Sequence, residues 1–237
     1  MNTILFDLDG TLLPMDTEGF LDTYTKSLES RINSAGFDSK KVISAVWTGM
    51  DAMLHNEGVL TNEDMFLKTF EECLGGETKK IVKELYKFYH KDFLVSKLNT
   101  SPTSLANECV NILKEKGYEL VIATNPVFPA IATNQRIAWA GLNIDDFALV
   151  TTYENTCYTK PNLNYYKKIL QTLGRQPEDC LMVGNDVDED MCVVKLGIDV
   201  FLIKECLINR GRSDISDYKQ GDWNTFKEFV QSLPSLI

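Results

Sequence analysis

Two textures of apolar patterning divide this chain. From about residue 16 to 92, apolar positions recur at three- and four-residue steps, the period of an amphipathic helix. From residue 118 onward, short unbroken apolar runs alternate with helical stretches. In the first region, residues 17–35 line up Phe20, Leu21, Tyr24, Leu28 and Ile32 and stop at Gly36. Residues 40–54 carry Val42, Ile43, Val46, Trp47, Met50 and Leu54, and His55-Asn56-Glu57-Gly58 breaks the pattern. Thr61 with Asp64 is a variant of the helix-start box, placed before Met65, Phe66, Phe70 and Leu74, and Gly75-Gly76 ends that helix. A fourth helix holds Ile81, Val82, Leu85, Phe88 and Tyr89. Four helices in succession read as a small bundle of their own.

Residues 93–101 read as a link, and Pro102 as the first-turn residue of a helix buried through Val110, Ile112 and Leu113 and closed by Lys116-Gly117. Strand patterns then fall at 118–123, 147–150, 180–183 and 200–203, with helices at 129–140, 162–173, around Met191 to Val194, and at 223–232. Ile4-Leu5-Phe6 is a further apolar run with no polar alternation, as in a strand buried on both faces. Strand and helix in alternation predict an α/β fold, a doubly wound parallel sheet of Rossmann-like type. The first strand belongs to that sheet, which gives a core of residues 1–14 and 97–237 and an inserted four-helix cap at 15–96. No internal repeat, low-complexity tract or Ser/Gly-rich linker interrupts this plan.

Composition narrows the partners. The 237 residues are 44% hydrophobic and 24% charged, ordinary for a soluble globular protein. A formal net charge of -10 and a pI near 4.8 argue against nucleic acid or an anionic membrane as the main partner. A phosphorylated small molecule stays open, since a local metal ion outweighs the global field. No apolar stretch approaches the ~20 residues of a membrane span, and Asp7 and Asp9 interrupt the first apolar run before a signal-peptide core could form. Six scattered cysteines without a CxxC pair read as reduced thiols of a cytoplasmic protein. The two histidines, His55 and His90, lie far from any cysteine-bearing strand motif, which argues against a cysteine nucleophile.

The candidate chemistry is concentrated at Phe6-Asp7-Leu8-Asp9-Gly10-Thr11. A strand that simply leaves the core through an Asp-Gly turn is the plain reading. Side-chain alternation, however, puts Asp7 and Asp9 on one side. Two carboxylates that close repel each other and shift in pKa unless a cation intervenes. The pair therefore points to a metal-assisted carboxylate site, with one Asp as nucleophile and the other as proton shuttle. In open parallel sheets ligands bind beyond the carboxyl ends of the strands. Other polar residues are expected there: Thr124 and Asn125 after the second strand, Lys160-Pro161 after the third, Asn185 and Asp186 after the fourth. Asp7 and Asp186 can bind a hard cation such as Mg²⁺, Thr124 can donate to a phosphoryl oxygen, and Lys160 supplies fixed positive charge. Phosphoryl transfer, which depends mainly on positioning and charge neutralisation, makes these demands.

Asp7-Leu8-Asp9-Gly10-Thr11, Thr124-Asn125, Lys160-Pro161 and Gly184-Asn185-Asp186 with Asp190 resemble, in order, the four motifs of the haloacid dehalogenase-like hydrolases. The resemblance spans the chain, and the insert between the first two motifs is similar to the subclass with a helical cap. It implies that Asp7 is the nucleophile that becomes an aspartyl phosphate. Asp9 would protonate the leaving alcohol and then activate water. Thr124, Asn125 and Lys160 would bind the phosphoryl group. Asp7, the Asp9 carbonyl and Asp186 would coordinate Mg²⁺, with Asp190 and Asn185 in or behind the metal shell. Two departures stand out. Asn185 occupies the place that usually holds Asp, so Asp186 is taken as the shifted ligand. Pro126-Val127-Phe128-Pro129 replaces the small residues usual after the second motif.

A second acid at Asp9 favours phosphate esters over dehalogenation. A phosphonate-cleaving relative would need a cap lysine, for which Lys26, Lys40, Lys41 and Lys68 are available. The expected activity is hydrolysis of a small phosphorylated metabolite. A sugar phosphomutase shares these residues, and a receiver-like phospho-accepting module shares their placement but has no use for the cap. Trp47-Thr48-Gly49-Met50, at an expected kink or turn, is the part of the cap expected to face the substrate.

Overall fold

A computed structural model describes residues 1–237. Thr3–Phe6 form β1, buried at every residue because strands flank it on both edges and helices cover both faces. It pairs in parallel with β2 (Glu119–Ile122) on one side. The next strand in sequence, β3 (Leu149–Val150), lies outside β2. On the other side of β1 stands β4 (Cys180–Gly184), followed by β5 (Asp199–Ile203) and β6 (Lys219–Gly221). The sheet is six-stranded, all parallel, in the order β3-β2-β1-β4-β5-β6. The doubly wound parallel sheet expected from the sequence is present. β6 was not expected: Lys-Gln-Gly has no apolar run, and an edge strand of three residues is recognisable only by its pairing with β5.

Alternation along the strands divides the core. Ile4 and Phe6 face a cluster that also holds Leu120, Ile122, Leu181 and Val183. Leu5 faces the opposite cluster, with Val121, Met182 and Leu202. Helices α5 (Ser104–Glu115), α6 (Ala130–Trp139) and α8 (Trp223–Ser232) contribute to the first cluster, and α7 (Leu163–Leu173) to the second.

Between β1 and α5 the insert carries four helices, α1 (Thr17–Ser34), α2 (Ser39–Leu54), α3 (Asn62–Leu74) and α4 (Thr78–Lys91). Asp16, Asp38 and Thr61 cap the first three, each accepting from a backbone N–H three residues on. Their apolar faces do not close on themselves. Phe20, Tyr24 and Phe93 all pack against Phe128 from beyond β2, and one cluster runs from these helices to the sheet.

Three local expectations change. The stretch read as a link is a 3₁₀ segment, Phe93–Asn99, whose Phe93 is fully buried against Trp139. Pro102 precedes α5 rather than opening it, because Thr103 supplies the oxygen that receives Leu105 N–H. Finally, α2 does not kink at Trp47 to Met50. Gly49 lets α3 approach, since a Cβ there would lie 2.6 Å from the Phe66 ring. Thr48 faces solvent and turns its hydroxyl back to Ser44.

Candidate active site

The chain reverses its direction across the sheet at β1, with β2 on one side and β4 on the other, and the polar residues converge at the carboxyl ends of these strands. Asp7 follows β1 directly and is buried. Lys160, in the loop after β3, is also buried; its Nζ donates to Asp7 Oδ1 at 2.8 Å and to Asp190 Oδ1 at 2.6 Å. Asp190 Oδ2 accepts from the backbone N–H groups of Asn185 and Asp186, so both of its oxygens are committed to holding Lys160 and the loop after β4. Burial opposes the Lys160 ammonium, but Asp190 and Asp7 outweigh it and hold its pKa well above the usual lysine range. The lysine is a permanent cation beside Asp7.

Asp9 has a cation of its own. Arg136, reaching from α6, donates through Nη1 to Asp9 Oδ2. Burial pushes the Asp9 carboxyl up and Arg136 pulls against it. The fold supplies a side-chain cation to each acid, Lys160 to Asp7 from the loop after β3 and Arg136 to Asp9 from α6. Nothing in the local pattern singled out Arg136: it sits in an ordinary helical stretch, and only the packing of α6 brings it to the sheet edge.

The residues of the fourth motif divide their tasks. Asn185 turns inward, accepting from the Thr11 hydroxyl at 2.7 Å and donating to the Cys206 carbonyl at 2.7 Å. Asp186 Oδ1 accepts from the N–H groups of Asp188 and Glu189, while Oδ2 meets the half-exposed Arg210 at 2.6 Å. Asn125 joins loops, donating to Glu189 and accepting from Lys160 N–H, so its side chain is occupied at both ends. Thr124 is buried, and its carbonyl takes the hydroxyls of Tyr165 and Thr151.

No three Asp, Glu, His or Cys side chains come together as a ready metal cluster. The available set is two carboxylates, Asp7 and Asp186, with the backbone carbonyl of Asp9. These are hard oxygen donors of the number Mg²⁺ commonly takes from a protein. Asp186 is itself only 8% exposed, and Arg210, the group on its Oδ2, is 58% exposed and is the one a cation there would displace.

Gly10 makes the first loop possible. Its φ is +87°, and a Cβ would lie 2.6 Å from Asn185 Nδ2. Gly10→Ala is expected to destabilise the protein by roughly 1–3 kcal/mol through the left-handed backbone and the displaced, hydrogen-bonded Asn185. Chemical denaturation checks this, and an unchanged midpoint would exclude the close approach.

Residues 1–191 match the family described as haloacid dehalogenase-like hydrolase. The chain belongs to that family. Among relatives of this hydrolase, a glyceraldehyde 3-phosphate phosphatase of Methanothermobacter thermautotrophicus is 23% identical over 100% of both chains. Pyrophosphatase PpaX of Bacillus cereus is 24% identical over 92% of this chain and 89% of its own. A solved HAD phosphatase from Thermococcus onnurineus superposes with a TM-score of 0.59 at 17% identity, covering 100% of both chains. That likeness concerns the fold.

In this haloacid dehalogenase-like hydrolase the insert helices reach the loops near the site. Asn62, fully buried at the start of α3, donates to the Pro126 and Tyr158 carbonyls, and its backbone N–H donates to Thr156. Beside this junction lies a cavity of about 350 Å³, mostly apolar, lined from the insert by Met50, Phe66 and Tyr89 and from the sheet side by Val127 and Tyr153. Of the four-residue segment expected to face the substrate, only Met50 reaches it. No helix of the protein is long and apolar enough to cross a membrane.

Proposed function

We propose that this hydrolase is a Mg²⁺-dependent phosphatase of a small phosphorylated metabolite, acting through an aspartyl phosphate on Asp7 in the cytoplasm. One observation carries the reading. The lysine after β3 is buried between Asp7 and Asp190, so a carboxylate oxygen and a fixed cation meet at the sheet edge where a phosphoryl group would be transferred. The phosphatase and pyrophosphatase among the relatives support a phosphate-bearing substrate.

Asp7 attacks phosphorus as the ester P–O bond breaks, and Asp9 gives its proton to the departing oxygen. Asp9, now a carboxylate, then takes a proton from water, the hydroxide attacks phosphorus, and Asp7 is released with inorganic phosphate. Lys160 holds Asp7 in place, and Thr124 donates to a phosphoryl oxygen. Asp7, the Asp9 carbonyl and Asp186 would hold Mg²⁺, which neutralises phosphoryl charge when bound. Asp190 stands behind them as the anchor of Lys160. Residues 15–96 act as a cap over a catalytic core of 1–14 and 97–237, and Asn62 ties the two together beside the apolar cavity.

A panel of phosphorylated sugars, nucleotides, glycolate and amino acids, assayed for phosphate with Mg²⁺ and with EDTA, tests the proposal. Phosphate release from at least one ester, lost in EDTA and restored by Mg²⁺, is the expected result. Accumulation of an isomer without phosphate would make the enzyme a mutase instead. A long-lived phosphoprotein without turnover would make it a phospho-accepting module.

A further inference from the structure

We infer that the cavity between the insert and the sheet takes the alcohol half of the substrate, and that this half carries an alkylated ammonium group on a short hydrocarbon chain. The inference rests on the phosphatase reading above and names a substrate class within it. At about 350 Å³ the cavity is of a size that encloses a small organic group. Five aromatic rings line it: Tyr24 from α1, Phe66 from α3, Tyr86 and Tyr89 from α4, and Tyr153 from the loop after β3. Phe66 and Tyr153 meet across the junction, their ring centres 6.4 Å apart and their planes tilted by 48°.

The charges in this wall are of one sign. Glu63 and Glu154 line the cavity, and no lysine, arginine or histidine does. Glu154 is engaged, since its two oxygens accept from Ala130 N–H at 2.8 and 3.0 Å at the start of α6. Glu63 is half-buried and unpaired: burial raises its carboxyl, and Glu154 and Asp64 raise it further. A neutral hydrocarbon in the cavity would desolvate that acid with nothing in return. A second phosphate or a carboxylate would meet two like charges. A polyol would find few groups to bond, because the Tyr24 and Tyr89 hydroxyls are joined to each other at 3.0 Å. An ammonium dressed in methyl groups needs ring faces and one carboxylate, and the wall supplies both.

One loop and one arginine join the cavity to the catalytic edge. Val127 and Pro129, both in its wall, flank Phe128 on the loop that starts at Thr124-Asn125. The Phe128 ring lies 5.7 Å from the Tyr24 ring and 4.6 Å from the Arg136 guanidinium. Arg136 in turn bonds Asp9, so its charge is already matched and stands outside the cavity wall. A phosphoryl group at Asp7 and an ammonium against Glu63 can then belong to one substrate.

The test compares choline phosphate with its neutral isostere, 3,3-dimethylbutyl phosphate, which differs only in having carbon for nitrogen at the branched end. In the parent protein kcat/KM is expected to be about 30-fold higher for the charged ester, the discrimination that a desolvated cation gains from aromatic faces and a carboxylate. Glu63→Gln should cut that preference to about fivefold, the share left to the rings. Tyr153→Leu should lower it as well, and Tyr153→Phe, which keeps the ring, should retain it. Calorimetric titration supplies a readout without turnover: choline should bind the parent protein, and 3,3-dimethylbutan-1-ol measurably less well.

Equal kcat/KM for the two esters, or a preference that Glu63→Gln leaves intact, would overturn the inference and leave the phosphatase reading standing. Choline binding that is lost in Glu63→Gln, in a protein that releases phosphate from no ester, would support the ammonium site and remove the phosphatase reading instead.

Discussion

Asp7→Asn will lose turnover by about four orders of magnitude or more, the scale seen when a covalent nucleophile is removed, while the protein remains folded. An amide has no anionic oxygen with which to attack phosphorus. Its carbonyl oxygen can still accept from Lys160, which also keeps its bond of 2.6 Å to Asp190. The buried ammonium is therefore not abandoned. A stability change of about 1 kcal/mol would move the melting temperature by only roughly 2–4 °C in a protein of this size. Phosphate release measures the first half of the prediction and thermal melting the second. Mass spectrometry of enzyme quenched during turnover should find a phosphorylated Asp7 in the parent protein and none in the variant. An Asp7→Asn protein that retained even about a hundredth of the activity would remove Asp7 as nucleophile.

Lys160→Met should be damaging in both respects. It leaves Asp7 and Asp190 buried with no cation between them, and breaking a buried ion pair by deleting one partner costs about 3–5 kcal/mol. The melting temperature should fall by roughly 10 °C. Activity should fall by about 10²- to 10³-fold, the usual loss when one preorganised electrostatic contact to the transition state is removed. The pH dependence has a definite sign. Burial already raises the Asp190 carboxyl against the pull of Lys160, and loss of the ammonium raises it further. A carboxyl whose folded pKa is raised takes up its proton first in the folded state. The deficit of the variant is then full on the alkaline side of that folded pKa and shrinks on acidification. Adding Asp190→Asn to Lys160→Met should recover part of the stability and none of the activity. Denaturation at several pH values, with phosphate release in parallel, separates the two effects. A variant as stable as the parent at alkaline pH would show that Lys160 does not offset the buried acids.

The two experiments draw on different parts of what could be read in advance. Asp7, Asp9, Thr124 and Lys160 were legible because each interrupts or follows a short apolar strand, and strand ends on one edge of a parallel sheet are forced together by topology. Asn185 was legible as a position, but its side chain turns back on Thr11 beneath Gly10, a choice made by a neighbour 174 residues away in sequence. Thr48 was misplaced for a related reason. Helical periodicity alone cannot tell which part of a long helix meets the rest of the protein, and α2 meets α3 through Gly49 instead.

By itself, the sequence determined the alternation of strand and helix, the insertion of four helices after the first strand, and the identity of the residues at the strand ends. Apolar period and turn chemistry are local properties, and they act before any distant contact forms. Tertiary structure alone decided which cation serves which acid. Arg136 and Arg210 carry no local signal of function, and they reach Asp9 and Asp186 only because α6 and the loop after β5 pack where they do. Charge pairing across a fold depends on distances between segments far apart in the chain, and no pattern within a single segment encodes those distances.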